Sequence, residues 1–353
     1  MRSAELVAPP PAAATRVRSI ALRTGLGLLA GGLLVLVFLR LVNLSVVAHL
    51  LRHLNVGISI ACGVAFLSAY VVRALRWRYL LRPCRVSVRR AVAIYQVATF
   101  LNWLLPVQGG EVAKCVLLRR SDGIPVGVSL PTVAMDKTMD LLPSVVLLAV
   151  LPFAGIHLSH VLLAVLLGAL ALAACVFAAI ALSAWRRDRA VAIVVRPLTA
   201  LLPGRLREHV EPFVVQFIDT LGALIRRPRI LALAAGLTGI AVCLDASFCL
   251  LAFKAVGVSV ALPTILFGYT LFNLVFILPT PPGHIGTNEL MGLLIFSGVF
   301  GVNRSEVGAM FLFSHPWTGL LMTCSGLACL SAMGLTLRSS LRLGQEKQEL
   351  EKV

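Results

Sequence analysis

The sequence has few charged residues, and acidic ones are the scarcest. Asp and Glu together number 15 among 353 residues, and charged residues make up 13% of the chain against 59% hydrophobic residues. An ordinary soluble domain is about 45–50% apolar and about 25% charged. Apolar runs of about 20 residues, the length that spans a bilayer, recur along nearly the whole chain. The composition therefore leaves no room in this sequence for a soluble catalytic domain and predicts an integral membrane protein.

The sequence also lacks the motifs of several enzyme classes. It has no nucleotide-binding loop, no His-rich metal cluster, no acidic signature of CDP-alcohol phosphotransferases and no Arg/Ser/His phosphatase set. Its eight cysteines are scattered through apolar segments without CxxC spacing, which is typical of small core residues. We therefore expect neither a cofactor nor a metal ion. An enzyme is the less favoured hypothesis.

The basic residues give the chain a net charge of +17 and gather at the ends of apolar runs. In a soluble protein this excess would indicate nucleic acid, but here it follows the positive-inside rule. The basic stretches are 2–23, 73–90, 186–229 and 338–347. Placing all of them on the cytoplasmic side predicts a multi-pass protein with both termini in the cytoplasm and no nucleic-acid partner.

Two kinds of apolar segment recur along the chain. Runs long enough to span lie at about 24–40, 57–80, 128–151, 160–184, 230–253 and 307–337. The stretches 91–120 and 262–302 are instead interrupted by Pro and Gly near the middle. A segment broken in this way is tolerated at membrane depth only when it is buried in protein or lines a cavity. The sequence thus predicts an all-α polytopic integral membrane protein with about six full spans and two re-entrant helical hairpins.

The order span, hairpin, span occurs twice, at 57–151 and at 230–337, in opposite orientations. Such inverted repeats with interrupted helices indicate a transport site near the membrane midplane. Amphipathic linker helices at 186–229, interpreted as lying on the membrane surface, join the two repeats. The predicted organisation is a disordered cytoplasmic tail at 1–19, a transmembrane domain at 20–337 and a second cytoplasmic tail at 338–353.

Charged residues interrupt the third predicted span. Asp136, Lys137 and Asp140 lie near its middle, where each charge costs roughly 2.5–3.5 kcal/mol, so we expect partners or a function for them. Glu111 and Lys114 follow the Gly-Gly break of the first hairpin, where the free N–H groups of a starting helix attract anions such as phosphate. We expect Asp136 and Asp140 to meet Lys114, and Glu111 to meet Lys137. The cluster is either a polar transport site or a structural ion-pair network.

In the second half, Glu289 follows a Gly-rich turn as Glu111 does and is the strongest candidate there. His284 is either a titrating group or a hydrogen-bonded structural residue. Asp245 and His315 are weaker candidates. The predicted headgroup pathway consists of Asn102, Gly110, Glu111, Lys114, Asp136, Lys137, Asp140, Gly283, His284, Gly286 and Glu289.

Three arginines lie at the end of the second predicted span, at positions Arg73, Arg76 and Arg78. Arg73 and Arg76 share a helical face near the predicted cytoplasmic interface. All three are interpreted as snorkelling anchors, whose charged ends reach out to water, with recruitment of lipid headgroups as the alternative.

Three ordered motifs carry a resemblance to a known family. The first runs from Asn102 to Gly110-Glu111 with Lys114, the second is Asp136-Lys137 with Asp140, and the third is PGHIG at 282–286 followed by Glu289. In these motifs the chain resembles the lysylphosphatidylglycerol synthase transmembrane, or flippase-like, family of prokaryotic membrane proteins over about residues 20–337. Lys114 and Lys137 stand where the family pattern has Arg, and His284 where it has Gly. Arg and Lys are not interchangeable at a bidentate phosphate site. These departures therefore affect which headgroup the protein is expected to bind, and not the expected fold.

The resemblance implies a lipid flippase of the inner membrane. Family members flip, or are thought to flip, aminoacylated phospholipids, and relatives accompany hopanoid and polyprenyl-lipid glycan pathways. The soluble aminoacyl-transferring domain is absent from this sequence, so the translocase half alone is implied. Expected partners are membrane lipids with an anionic or zwitterionic headgroup, polyprenyl phosphate or hopanoid-type lipids included, and a lipid-modifying enzyme. The alternatives are a non-catalytic scaffold for such an enzyme and an integral-membrane lipid-modifying enzyme.

Lipid movement is expected to be passive or ion-coupled, because the sequence has no nucleotide-binding loop. Asp136, Asp140, His284 and Glu289 are the candidate proton carriers.

Overall fold

The computed structural model describes residues 29–104, 109–150, 204–275 and 280–335, together with the isolated positions 25, 164, 167, 168, 171 and 175. This part of the chain forms eleven helices and no strand, which confirms the all-α prediction for it. The helices are α1 Leu29–Leu41, α2 Leu44–Arg52, α3 Val56–Leu80, α4 Val88–Leu104, α5 Gly109–Asp122, α6 Val126–Val150, α7 Gly204–Ile225, α8 Pro228–Ala255, α9 Leu262–Val275, α10 Thr287–Gly292 and α11 Arg304–Ala332. A 3₁₀ turn, Pro282–His284, precedes α10, and a π-helical turn, Leu293–Ser297, continues it.

Two of the described helices, α3 and α8, are both long and apolar enough to cross a membrane. The pair α1 and α2, bent by 93°, meets the same test when it is taken as one broken span. Helices α6 and α11 coincide with the predicted runs 128–151 and 307–337. The predicted span 160–184 lies almost wholly outside the described residues, and both predicted tails lie outside them. The predicted total of six spans stays a prediction.

Asparagine side chains begin three of these helices. In each case the side-chain oxygen accepts a hydrogen bond from a backbone N–H of the first turn, the usual role of an N-cap residue. The caps are Asn43 before α2, Asn55 before α3 and Asn303 before α11. The backbone N–H of Asn43 also donates to Ser305 Oγ at 3.0 Å, which fixes the bend after α1 against the start of α11.

Helices α4 and α5 form an antiparallel pair, as the first predicted hairpin requires. Arg90 near the start of α4 pairs with Asp122 at the end of α5, 2.6 Å apart. At the other end, a Cβ added to Gly110 would lie 1.9 Å from the carbonyl oxygen of Ala98. Glycine at 110 is therefore what lets the two helices approach so closely. The connecting residues 105–108 are outside the described part, and re-entry into the membrane stays a prediction.

The helix of the second predicted hairpin is likewise interrupted, at the glycine-containing turn 282–286. Gly283, His284 and Gly286 all have positive φ angles, of 65°, 54° and 77°. A Cβ on Gly286 would lie 2.5 Å from the carbonyl oxygen of Gly31, so this turn packs directly on the backbone of α1. Beyond the turn, a Cβ on Gly268 of α9 would lie 2.5 Å from the ring of Phe296, which places α9 beside the π-helical turn.

The core is formed by pairs of helices from the two halves of the chain. Helix α3 packs along α8, α4 packs on α11, and α9 packs on α6. Helix α7 packs on α6, and its residues Leu221 and Leu224 are buried with Leu80, Met135 and Met139. The sequence placed this apolar face on the membrane surface, but its C-terminal half contacts protein because α6 and the end of α3 lie against it.

Candidate functional site

Eight charged side chains from four helices meet in the part of the chain that the structure describes, and we call them the ion-pair network. Four are positive and four negative, so their formal charges cancel. Helix α3 provides two arginines, α5 a Glu and a Lys, α6 two aspartates and a Lys, and α8 an Asp. The members are Arg73, Arg76, Glu111, Lys114, Asp136, Lys137, Asp140 and Asp245.

Arg76 is at the centre of the ion-pair network and is 0% exposed. Its Nε donates to Asp136 Oδ1 at 2.8 Å, and its Nη2 donates to Asp140 Oδ1 at 2.7 Å. Nη2 also reaches the backbone oxygen of Asp136 at 3.0 Å, and Nη1 donates to Thr238 Oγ1 at 3.0 Å. The planar guanidinium can serve these acceptors at once, which an ammonium group cannot.

The interpretation of Arg73 and Arg76 as snorkelling anchors is wrong. Arg73 binds Asp245 of α8 through both of its terminal nitrogens, one of them 3.2 Å from Asp245 Oδ1. Both arginines turn inward because α3 packs between α6 and α8 at this level. Arg73 and Arg76 are three residues apart and Asp136 and Asp140 four, so each pair lies on one helical face. Two faces of opposite charge are the sequence signal that could have indicated the pairing.

The tip of the first hairpin is a hydrogen-bonded unit around Glu111. Its carboxylate lies 2.9 Å from Lys114 Nζ and 3.0 Å from Lys137 Nζ. Asn102 donates from Nδ2 to Glu111 at 2.8 Å and accepts at Oδ1 from the N–H of Gly110, also at 2.8 Å. The contact between Glu111 and Lys137 is the one expected from the sequence.

Lys114 connects this unit to α6. Its Nζ is 3.6 Å from Asp136 Oδ2, as expected, and lies 3.8 Å from the centre of the Tyr95 ring, a cation–π contact. The Tyr95 hydroxyl donates to Asp136 at 3.2 Å. The second expected contact of Lys114 was wrong, because Asp140 pairs with Arg76 and lies 3.7 Å from Arg73.

One edge of the ion-pair network is open. The side chain of Asp136 is 0% exposed, whereas that of Asp140 is 29% exposed and that of Lys137 is 43% exposed. The network therefore extends from the interior of the protein to a surface where a polar group can reach Lys137 and Glu111.

A second polar cluster joins the turn of the second hairpin to α11, and we call it the Glu–His cluster. His315 Nδ1 lies 2.6 Å from Glu289 Oε1, and His315 Nε2 lies 2.7 Å from the carbonyl oxygen of Gly283. His284 contacts Thr280 through Nδ1 at 2.7 Å. The other oxygen of Glu289 is buried and has no hydrogen-bond partner among the described residues. His315 was only a weak candidate from the sequence, since nothing local showed that it faces Glu289.

Trp103 lies between the two clusters. It follows Asn102, which holds Glu111, and its ring would lie 3.7 Å from a Cβ on Gly283 and 2.9 Å from one on Gly319. The structure thus places the predicted pathway residues at two clusters, with Trp103 next to Asn102 in the chain and against Gly283 in space. Gly286 supports the second cluster through its contact with α1.

No three His, Cys, Asp or Glu side chains of the described residues are placed to hold a metal ion together. The arrangement offers paired charges and a Glu–His pair, which suit the binding of a polar or zwitterionic group.

Comparison with known proteins identifies the family. No match was found among curated proteins or among solved structures. The family model for the lysylphosphatidylglycerol synthase TM region matches residues 24–326, a range that contains both clusters. Because the match covers most of the chain, the protein belongs to the lysylphosphatidylglycerol synthase transmembrane-region family, whose members are membrane proteins of lipid-related function.

Proposed function

We propose that this protein is a flippase, which moves a polar-headgroup lipid between the leaflets of the prokaryotic cytoplasmic membrane. The observation that carries the proposal is the charge-balanced ion-pair network, built where four helices of a membrane protein meet. Apolar residues of the same volume often stabilise a protein as well as a buried ion pair does. Folding alone therefore gives little reason to keep eight charges there, whereas moving a charged headgroup through a membrane does.

The open edge suits a headgroup that carries phosphate, alone or with an amine. A phosphate could replace Glu111 as the partner of Lys137, and an amine could take the place of Lys137 beside Glu111. Lys114 and Asp136 offer the same exchange deeper inside. Each step would trade one ion pair for another, so the headgroup would not be left unpaired, while the acyl chains would remain in lipid.

We further propose a topology of six spans with two re-entrant hairpins in inverted repeats, and the helix packing supports the repeats. Each hairpin begins with a helix that packs on the last helix of the other repeat, α4 on α11 and α9 on α6. The first helices of the two repeats, α3 and α8, pack on each other. This reciprocity is expected of two repeats related by a pseudo-twofold axis. With both termini in the cytoplasm, the first hairpin opens inward and the second outward.

The proposal assigns lipids as the partners and no chemical step to the protein. The lipid has an anionic or zwitterionic headgroup, with polyprenyl phosphate and hopanoid-type lipids as further candidates, and a lipid-modifying enzyme supplies or consumes it. In this proposal the protein is not itself an enzyme.

A leaflet-accessibility assay tests the flippase. Purified protein is placed in liposomes that hold fluorescent lipids of different headgroups, and a membrane-impermeant quencher reports the lipid that stays protected in the inner leaflet. Wild type should remove this protection for its substrate, and Glu111→Gln should restore it, because the neutral amide no longer pairs with two lysines. Glu306→Gln, outside the ion-pair network, is the matched control and should act as wild type. Full protection with wild type for every headgroup would contradict the flippase and favour the scaffold.

A further inference from the structure

We infer that the Glu289–His315 pair binds the proton that drives transport, which makes the protein a proton-coupled flippase. The inference rests on the proposed function and assigns its energy source and the site of the coupling ion.

The hydrogen bonds of His315 require this proton. A neutral imidazole has one N–H and one bare nitrogen that can only accept. Nε2 lies 2.7 Å from the carbonyl oxygen of Gly283, which cannot donate, so Nε2 carries a hydrogen. Nδ1 lies 2.6 Å from Glu289 Oε1. A second hydrogen must therefore lie between the ring and the carboxyl group, bound to one or the other, and the pair holds one proton more than a neutral His beside a carboxylate.

Losing that proton breaks one of the two contacts of His315. The neutral ring keeps a single N–H, so either Nδ1 faces the Glu289 carboxylate or Nε2 faces the carbonyl oxygen of Gly283 with no hydrogen between them, which is repulsive. Glu289 is on α10, His315 is on α11, and Gly283 is in the turn between α9 and α10. The proton is thus a removable link that ties the turn of the second hairpin to α11.

The ion-pair network does not offer such a site. Each of its four carboxylates contacts an Arg or a Lys, and an Arg is not deprotonated in proteins. In the described part of the chain, Glu289 has no Arg or Lys partner, and its Oε2 is buried without a hydrogen bond. A carboxyl group in this position exchanges a proton without first breaking an ion pair to a permanent charge.

A histidine and several uncharged groups lie near the pair. His284, from the same turn, interacts electrostatically with His315. Helix α4 contributes the indole of Trp103 beside Gly283, and α1 contributes Gly31 and Leu34 beside the turn.

Trp103 connects the proton site to the ion-pair network. Its ring packs beside Gly283 and Gly319, and the preceding residue, Asn102, donates to Glu111. Release of the turn at Gly283 would free one side of the Trp103 ring. A change at the proton site would in this way reach the carboxylate that holds Lys137 at the open edge.

The variant Glu289→Gln keeps the contact between the turn of the second hairpin and α11 but removes its dependence on a bound proton. The amide of Gln can donate to Nδ1 of a neutral His315 while Nε2–H still donates to Gly283, so the link stays closed without the extra proton. The control is His53→Gln, since His53 is an exposed histidine on the turn that ends α2.

The test is lipid distribution under an imposed pH difference. Proteoliposomes hold acyl-labelled fluorescent phosphatidylglycerol or phosphatidylethanolamine, and quenching reports the steady-state ratio of labelled lipid between leaflets. With wild type and the control, each pH unit should shift this ratio about tenfold per coupled proton. With Glu289→Gln the pH difference should have no effect, while membrane levels and thermal stability match those of wild type.

The outcomes distinguish the two proposals. Wild type that equilibrates labelled lipid equally with and without a pH difference overturns the proton coupling and leaves the flippase standing. A response to the pH difference that persists in Glu289→Gln also overturns the assignment to this pair. Wild type that moves neither of these lipids nor any other headgroup of the leaflet-accessibility assay overturns the flippase and the proton coupling that rests on it.

Discussion

Replacing Arg76 by Leu tests whether the ion-pair network holds the helices together. The guanidinium is 0% exposed and connects α3 to Asp136 and Asp140 of α6 and to Thr238 of α8. Leucine fills part of the volume but leaves Asp136, also 0% exposed, with Lys114 at 3.6 Å as its remaining cation. The substitution therefore leaves a buried carboxylate poorly compensated.

The expected magnitude follows from this imbalance. Removing one partner of a buried ion pair destabilises a protein by about 3–5 kcal/mol. Arg76 serves two carboxylates, but Asp140 keeps Arg73 at 3.7 Å and has a side chain 29% exposed, so the second loss is small. We expect Arg76→Leu to lower the free energy of unfolding by about 3–5 kcal/mol. Arg76→Lys keeps the charge but loses hydrogen bonds to charged groups, and should cost about 1.5–3 kcal/mol.

The assay is reversible unfolding in mixed micelles by a denaturing detergent, followed by circular dichroism. Arg82→Leu is the matched control, because Arg82 follows α3, is exposed and stacks on Tyr79 at 4.8 Å. Its loss should cost about 0–1 kcal/mol. Finding Arg76→Leu as stable as Arg82→Leu would refute the reasoning that Arg76 compensates the buried carboxylate of Asp136.

Three further substitutions test single contacts by the same unfolding assay. Gly110→Ala should destabilise by about 1–3 kcal/mol, because its Cβ would overlap the carbonyl oxygen of Ala98 and push α5 from α4. Asp245→Asn should cost about 2 kcal/mol, because Arg73 loses its charged partner on α8. Lys137→Gln should change stability by at most about 1 kcal/mol, since this side chain is 43% exposed, yet it should abolish lipid movement in the leaflet assay.

Each of these three predictions would be contradicted by a specific result. A Gly110→Ala protein of wild-type stability would mean that the hairpin is loosely packed at its tip. If Asp245→Asn is neutral, the pair between α3 and α8 does not contribute to stability. Unchanged lipid movement in Lys137→Gln would remove the open edge from the proposed route.

Most helix positions were predictable because their signals are local. Apolar runs of spanning length gave α3 and α8 within a few residues, and the Pro and Gly breaks at 106–110 and 279–286 marked the ends of the hairpin helices. The contact between Glu111 and Lys137 was expected because α5, which carries Glu111, directly precedes α6, which carries Lys137.

The sequence by itself determined that the protein is helical and belongs in a membrane, and which charges interrupt its apolar runs. Only the tertiary structure decided how those charges pair. Arg73 and Arg76 looked like interfacial anchors until α6 and α8 supplied carboxylates from 60 to 172 residues away, and His315 meets Glu289 across 26 residues. Hydrophobicity acts on each segment alone and can be read from it, whereas an ion pair needs two side chains at contact distance, which is set by how distant helices pack.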